Sequence, residues 1–317
     1  MRAALPLLLL LLGCRAPRPG ELPRDAETLA DAESLSDASD ADDGSTAPLR
    51  VRVMTFNMHR YFDTTCDSGR CSTGDFEALP TASAFAAQTA AIAFGITRAE
   101  ADVVCAQEVE TEAALRALQD RLAGRYPTAV LGEIGTPGSV DVAVLARDPL
   151  IETRRHRAQP ITRPDGSGTV FSREFLEVHL SRAGRRVVMF CAHFRSMVND
   201  DPGRRVAEGT RAAELVARTA TEFPDALVVM GGDLNDVPGS PTLLALEGGG
   251  LDRVARRLPT GEDATWTGFS GSFAFDHLLH ATRGAGRVID GSVAVLRDQA
   301  MGYAGSDHAA LRADFAL

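Results

Sequence analysis

From Leu49 onward, short apolar, β-branched runs alternate with stretches of helical periodicity, and this alternation is the strongest constraint on the fold. Residues 49–57, LRVRVMTFN, are followed by SAFAAQTAAIAFGITRAEA, then DVVCAQE, then EAALRALQDRLAG. A repeat of two and a repeat of 3.6 cannot share one segment, so the order reads as α/β. Further strands are expected in VDVAVLAR, FSREFLEVHL, RRVVMFCAHF, ALVVMGG, FAFDHLLH, RVIDGSVAV and HAALRADFA, and helices at Arg204–Thr221 and Ser240–Leu246. Strands outnumber helices. Some are apolar throughout and others alternate, which predicts mixed β-sheets packed on each other with helices outside. No internal repeat or second linker interrupts residues 49–317, so they are expected to form one domain.

The preceding residues are of another kind. MRAALPLLLLLLGC has one early Arg and an apolar run too short to span a bilayer stably, the pattern of a secretory signal. Its end, Leu11 to Cys14, resembles the bacterial lipoprotein lipobox. That resemblance implies a signal peptide over residues 1–13, cleavage before Cys14, lipidation of Cys14, and an exported protein anchored to the membrane in the periplasm or at the cell surface. Residues 14–48 are rich in Asp, Glu, Ala, Ser and Pro and read as a disordered acidic tether. Residues 1–48 hold nine acids and four arginines, half of the chain's net charge of −10. The remaining mild acidity argues against bulk adhesion to nucleic acid, while a local basic groove or a bound divalent cation can still accept phosphates. Of the five cysteines, Cys66 and Cys71 sit in a polar loop, CDSGRC, where a short disulfide can form after export. Zinc fits less well there, because two thiolates without neighbouring His or Cys leave a tetrahedral site incomplete. Cys105 and Cys191 lie in apolar runs and read as core residues.

Chemistry enters at the strand ends. Asn57 closes VRVMTFN, Glu108 closes DVVCAQE, His193 closes RVVMFCAH, Asp233 and Asn235 follow ALVVMGG, and Asp307-His308 precede the last strand. Each alone is readable as a turn or cap, Asp and Asn being common turn residues. Together they describe one mouth, since rigid strand ends are where sheets present polar groups to ligands. Gly231 and Gly232 are expected to let the backbone turn just before Asp233.

The ordered set TFN (55–57), QE (107–108), AHFRS (192–196), GDLND (232–236), FDHLL (275–279) and SDH (306–308) resembles the endonuclease/exonuclease/phosphatase superfamily. The resemblance implies a four-layered α/β sandwich with two central mixed sheets, and a divalent cation, usually Mg2+, with Mn2+ or Ca2+ as alternatives. Glu108 is the expected ligand, a hard carboxylate of the kind Mg2+ prefers, with Asn57 and Asp307 completing the cluster. His308 is the expected general base, oriented by Asp276, because a histidine titrates near neutrality. By the same resemblance His193 donates to the phosphate or leaving group, Asn235 holds a phosphoryl oxygen, and Asp233 orients them or shuttles a proton. His277 reads as a packing residue. Arg173 and Asp141 match positions that face the substrate or support the active-site histidine in related nucleases. Arg211 reads as a solvated helix residue.

The resemblance is strongest to exported, deoxyribonuclease-like bacterial members, which implies a monomeric hydrolase of DNA or RNA phosphodiesters. Abasic-site repair relatives fit less well, because their active-site tyrosine has no counterpart among Tyr61, Tyr126 and Tyr303. A sphingomyelinase-like phospholipase C shares the same motifs but usually carries an exposed aromatic hairpin, whereas aromatics are 6% of this chain and its one tryptophan, Trp266, reads as core packing. An inositol-phosphate phosphatase is the third enzymatic reading. A non-catalytic surface-tethered binding module is the reading of another class, and it requires loss of side chains that are all present.

Overall fold

The computed structural model describes residues 48–268, 270–298 and 302–317. The signal peptide, Cys14 and the tether lie outside them. In chain order the elements are β1 (Arg50–Tyr61), α1 (Ala82–Ala99), β2 (Val103–Val109), α2 (Glu112–Arg121), β3 (Thr128–Gly132), β4 (Asp141–Ala146), β5 (Leu150–Arg155), β6 (Ile161–Thr162), β7 (Gly168–Thr169), β8 (Leu176–Arg182) and β9 (Arg185–His193). They continue with α3 (Pro202–Glu222), β10 (Leu227–Asp233), α4 (Pro241–Gly248), β11 (Leu251–Arg253), β12 (Trp266–Gly268), β13 (Gly271–Phe273), β14 (Asp276–Ala281), β15 (Arg287–Val288), β16 (Ala294–Leu296) and β17 (Ala310–Ala316).

Each helix begins at a side-chain cap. Thr81, Thr111, Asp201 and Ser240 accept from the backbone N–H of Ala84, Ala114, Arg204 and Leu243, and Pro202 and Pro241 occupy first-turn positions where no N–H is needed. One sheet has the order β15-β17-β1-β2-β4-β3, with β16 beside β17, and the other β11-β14-β10-β9-β8-β5. Both are mixed: β1 runs parallel to β2 and β9 to β10, while the other neighbours are antiparallel. Alternation along the strands divides the core. Val51, Val53, Val103, Val142 and Val144 of the first sheet meet Val178, Val187, Met189 and Val229 of the second. The opposite faces pack under α1 and α2 on one side and α3 and α4 on the other. The result is the expected four-layered sandwich.

Sequence and structure differ at the edges. The edge strands β3 and β5 were not anticipated, because TAVLG is short and LIETRR carries charge along its length. In RVIDGSVAV the turn at Asp290-Gly291, with Gly291 at φ 72°, divides one expected strand into β15 and β16. Cys105 and Cys191 are buried as expected but are not free thiols. They form a disulfide between β2 and β9, Cα atoms 5.3 Å apart, because alternation points both at the inter-sheet layer. Gly231 and Gly232 do not turn the chain, for β10 runs through both. A Cβ on Gly231 would lie 2.8 Å from Met189 and 2.9 Å from Leu278, and one on Gly232 2.2 Å from the Ala192 carbonyl oxygen. Glycine is needed there for close approach between neighbouring strands.

A buried polar cluster ties β8 to α3, away from the reaction centre. Glu177 accepts from His156 Nε2 and His179 Nε2, each at 2.7 Å, and from Thr219 Oγ1 at 2.9 Å. Burial raises the Glu177 pKa, but these donors outweigh it and hold it at about 2. A depressed carboxylate stabilises the fold above its unfolded pKa and loses that contribution as pH falls toward the folded value. The window here runs from about pH 4.5 down to about 2 and is worth roughly 3 kcal/mol. Glu177→Gln is therefore expected to lower stability at pH 7 by about 2–3 kcal/mol and to flatten the acid limb relative to the wild type. Urea unfolding of both proteins between pH 7 and 2.5 checks this; parallel pH profiles would refute it.

Candidate active site

Strand register assembles the centre. On the second sheet, Asp233 of β10 lies opposite His193 of β9 and Asp276 of β14, so three polar strand-end residues form one row. On the first sheet, the parallel pair β1 and β2 is irregular where it faces that row. The register shifts after Asn57, where His59 and Arg60 take left-handed φ of 52° and 51°, and again around Glu108, at φ 64°. Such bulges re-aim side chains, and non-glycine residues in this region concentrate at functional sites. The bulge brings the Glu108 carboxylate to the cleft, half-exposed, with Oε2 accepting from Arg60 N at 2.7 Å.

Asn57 stands between the sheets. Its Nδ2 donates to Glu108 Oε1 at 3.3 Å and to Asp233 Oδ2 at 3.0 Å, while its Oδ1 accepts from His59 N at 2.9 Å. An amide oxygen that accepts one hydrogen bond keeps a second lone pair, so this geometry is compatible with its expected place in the metal cluster. The nitrogen faces the carboxylates, so Asn57 holds Glu108 and Asp233 in place. Asp307 lies at the same mouth, with Oδ1 2.7 Å from His59 Nδ1 and Oδ2 accepting from Trp266 Nε1 at 3.2 Å. Partial burial opposes its ionisation, but His59 and His308 hold its pKa at about 2, so it is a carboxylate at any working pH. Glu108 and Asp307 offer oxygen donors only, which fits a hard divalent cation.

His308 Nδ1 lies 2.8 Å from Asp276 Oδ2, and Asp233, Asp276 and His308 each place a polar atom within 4.8 Å of the others. Burial disfavours the charged imidazole, but Asp276, Asp233 and Asp307 outweigh it and raise the His308 pKa to about 10. The ring is thus an imidazolium at neutral pH, a donor. In that state the ring's free nitrogen donates, whereas accepting the water's proton requires the neutral ring. Asp233 moves the other way from an ordinary carboxylate, its pKa raised by burial and by Asp276, against the pull of His308. Burial, together with Arg173 and His308, pushes His193 well below the usual histidine range, so the two histidines carry opposite charge states. His193 Nε2 is 3.7 Å from Asp233 Oδ2, and its Nδ1 is buried without a partner. Asn235, at φ 49°, donates its backbone N–H to Asp233 Oδ1 at 2.9 Å and Nδ2 to the Phe194 carbonyl at 3.3 Å.

Arg173 lines the cleft, donating to the Phe194 carbonyl at 3.1 Å, with burial lowering its pKa against the pull of Glu208, Glu108 and Asp233. Asp141 makes no hydrogen bond to His193; its Oδ1, like His193 Nδ1, is buried without a partner. It accepts from Ser139 Oγ at 2.9 Å and is raised to about 6, chiefly by burial. His277 is buried on the far side of β14, with Nε2 3.0 Å from the Asp236 carbonyl. Arg211 bonds to Glu214 and Gln159 on its helix surface.

Several contributors carried no readable signal. Trp266 lines the cleft instead of the core, and His59 and Arg60 join it from the β1 bulge. Thr265 Oγ1 accepts from Asp276 N at 3.0 Å and fixes that residue. Ser306 Oγ donates to the Asn57 carbonyl at 2.7 Å and accepts from His308 N at 3.0 Å, tying the last loop to β1. Fully buried Glu208 on α3 accepts from Ser172 N, Ser172 Oγ and Arg195 N, so one carboxylate sets both loops that bring Arg173 and Arg195 to the cleft. Only His59, two positions past Asn57 on the same strand, could have been found by periodicity.

The family model described as Endonuclease/Exonuclease/phosphatase family matches residues 54–308. Among curated protein sequences none matches. Solved structures with the same fold include the human Nocturnin catalytic domain with bound sulfate anion (18% identity, 84% of this chain and 94% of that one, TM-score 0.61) and TDP2 from Caenorhabditis elegans (19%, 87% and 78%, 0.60). Sphingomyelinase C from Streptomyces griseocarneus is also similar (20%, 84% and 99%, 0.54). The matched segment runs from the strand before Asn57 to His308 and so contains the whole polar row and both bulges: this chain belongs to the endonuclease/exonuclease/phosphatase family, whose chemistry is phosphoester hydrolysis.

Proposed function

We infer that the protein is an exported, divalent-metal-dependent phosphodiesterase that acts as a monomer on nucleic acid and is held to the membrane through Cys14. The observation that carries the substrate reading is the cleft, about 810 Å3, in which Arg60, Arg173 and Arg195 flank Glu108, His193, Asp233 and His308 while Trp266 and Phe76 form apolar walls. Arginines beside aromatic faces are what a phosphate backbone with stacked bases requires. They give a mildly acidic protein a local cationic path.

Glu108 and Asp307 would hold a divalent cation, which when bound would supply charge neutralisation at the phosphoryl oxygens and at the departing oxyanion. Asp233, an acceptor already held by Asn57 and Asn235, takes the proton of the attacking water. The His308 imidazolium, fixed at Nδ1 by Asp276, donates from its other nitrogen to a phosphoryl oxygen. Neutral His193 donates toward the leaving group, and Asn235 and Arg173 hold the remaining oxygens. Cys14 supplies the anchor in this reading; among the described residues no helix is long and apolar enough to cross a membrane.

A second reading, a lipid phosphodiester, is favoured by three exposed apolar side chains at the cleft, Phe76 (52% exposed), Met197 (44%) and Val198 (74%). One panel separates the two: purified protein with Mg2+, Mn2+ or Ca2+ on plasmid DNA, RNA, sphingomyelin vesicles and inositol phosphates. Metal-dependent cleavage of DNA or RNA, abolished by EDTA, is expected. Turnover of sphingomyelin alone would replace the nucleic-acid reading. In the same cells, wild type is expected with the membranes and Cys14→Ser in the soluble fraction.

A further inference from the structure

Residues 62–81, between β1 and α1, are long for a connection, and of them only Phe76 has entered the description of the cleft. The Cys66–Cys71 disulfide staples this segment, which folds back so that Asp67 and Glu77 meet Glu110, the residue after β2. One oxygen of each of the three carboxylates lies within 4.8 Å of the others. Glu77 Oε1 accepts from Asp67 N at 2.6 Å and Oε2 from Ser68 N at 2.7 Å, and Glu110 Oε2 accepts from Asp63 N at 2.8 Å. Glu110 Oε1 is buried with no partner, in a side chain whose residue is 3% exposed. The charges facing Glu110 are those of Asp63, Glu77 and Asp67, all negative. Beside them a cavity of about 260 Å3 opens between Asp67, Glu110, Thr111, Glu133 and the loop Gly135–Ser139. A buried carboxyl oxygen without a donor, amid like charges, is satisfied by a cation that neutralises the cluster.

We propose that Asp67, Glu77 and Glu110 bind a Ca2+ ion, at a place distinct from the reaction centre. The donors are carboxylates, two of the three carried on a loop. Ca2+ takes six to eight such oxygens in flexible geometry, and loop carbonyls and water complete its shell, whereas Mg2+ demands a near-ideal octahedron. Zinc is unsuited, because the two nearby sulfurs, Cys66 and Cys71, are spent in the disulfide. The ion has a structural consequence for the cleft. Phe76, adjacent to Glu77, packs under the Arg60 guanidinium at 4.8 Å from its ring centre, and both line the cleft. Ca2+ therefore fixes the wall against which substrate lies.

The test uses the full chain with its disulfides intact, stripped with EDTA, and Glu108→Gln as background so that an ion at the reaction centre does not obscure the result. Equilibrium dialysis is expected to find one Ca2+ per chain. At a hundredfold excess over its dissociation constant, Ca2+ should raise the melting temperature by roughly 5 °C. Asp67→Asn, at an exposed position, and Glu110→Gln should each abolish both effects. Absence of bound Ca2+ in Glu108→Gln, or undiminished binding in Asp67→Asn, would overturn the site. An equal melting shift with Mg2+ would overturn the choice of ion.

Discussion

Glu108→Gln is expected to lower turnover at limiting Mg2+ by about 10^3-fold while leaving the melting temperature of the metal-free protein within about 1 °C of wild type. The substitution removes the carboxylate charge that a hard cation needs but almost no volume. Gln can still accept from Arg60 N through its amide oxygen, and the bulge conformation at residue 108 is as open to Gln as to Glu. The lost contribution is the one made to the phosphoryl transition state, so kcat should fall more than KM rises. Raising Mg2+ should restore only part of the rate, because the remaining donor, Asp307, is engaged by His59 and Trp266. Metal titrations of steady-state rate at fixed substrate check this, and near wild-type turnover at limiting metal would remove Glu108 from the ligand set.

The second large effect concerns Asp276 and His308. Asp276→Asn keeps the shape of the side chain but removes the charge that, at 2.8 Å, holds the imidazolium and its orientation. Turnover is expected to fall by about 10^2- to 10^4-fold, as when an orienting acid is lost from a comparable dyad. His308→Ala should cost a similar factor, and the double variant little more than either, because groups acting as a unit cannot each lose the same contribution twice. The pH profile gives an independent sign. The His308 pKa, raised to about 10 in the wild type, falls when Asp276 is neutralised, so activity that requires the protonated ring is lost at a lower pH as pH rises. His277→Ala is the control: it removes buried packing on the far face of β14 and should lower the melting temperature with little change in rate measured well below it. An active Asp276→Asn, or a well-folded but inactive His277→Ala, would transfer the role to the neighbouring histidine.

Much of the architecture was legible because burial imposes periodicity. ALVVM and RVVMFCA are apolar on both faces because each lies inside a sheet covered on both sides. The charged edge strand β5 was invisible for the same reason in reverse: with one side unpaired and its residues partly exposed, LIETRR has no apolar pattern to show.

The chain order of polar strand ends was enough to nominate Asn57, Glu108, His193, Asp233, Asn235, Asp276, Asp307 and His308, since a strand end and its side chain type are local properties. What each residue does was not local. Asn57 is an acceptor to His59 and a donor to two carboxylates, and the His308 pKa is raised, because residues 32 to 249 positions away in sequence share one buried volume where hydrogen bonds and neighbouring charges bias protonation. The Cys105–Cys191 bond and the meeting of Asp67, Glu77 and Glu110 have the same origin. Composition and periodicity determine which face of an element is buried; only the packing of one sheet on the other, and of a loop on a strand end, determines which buried groups meet.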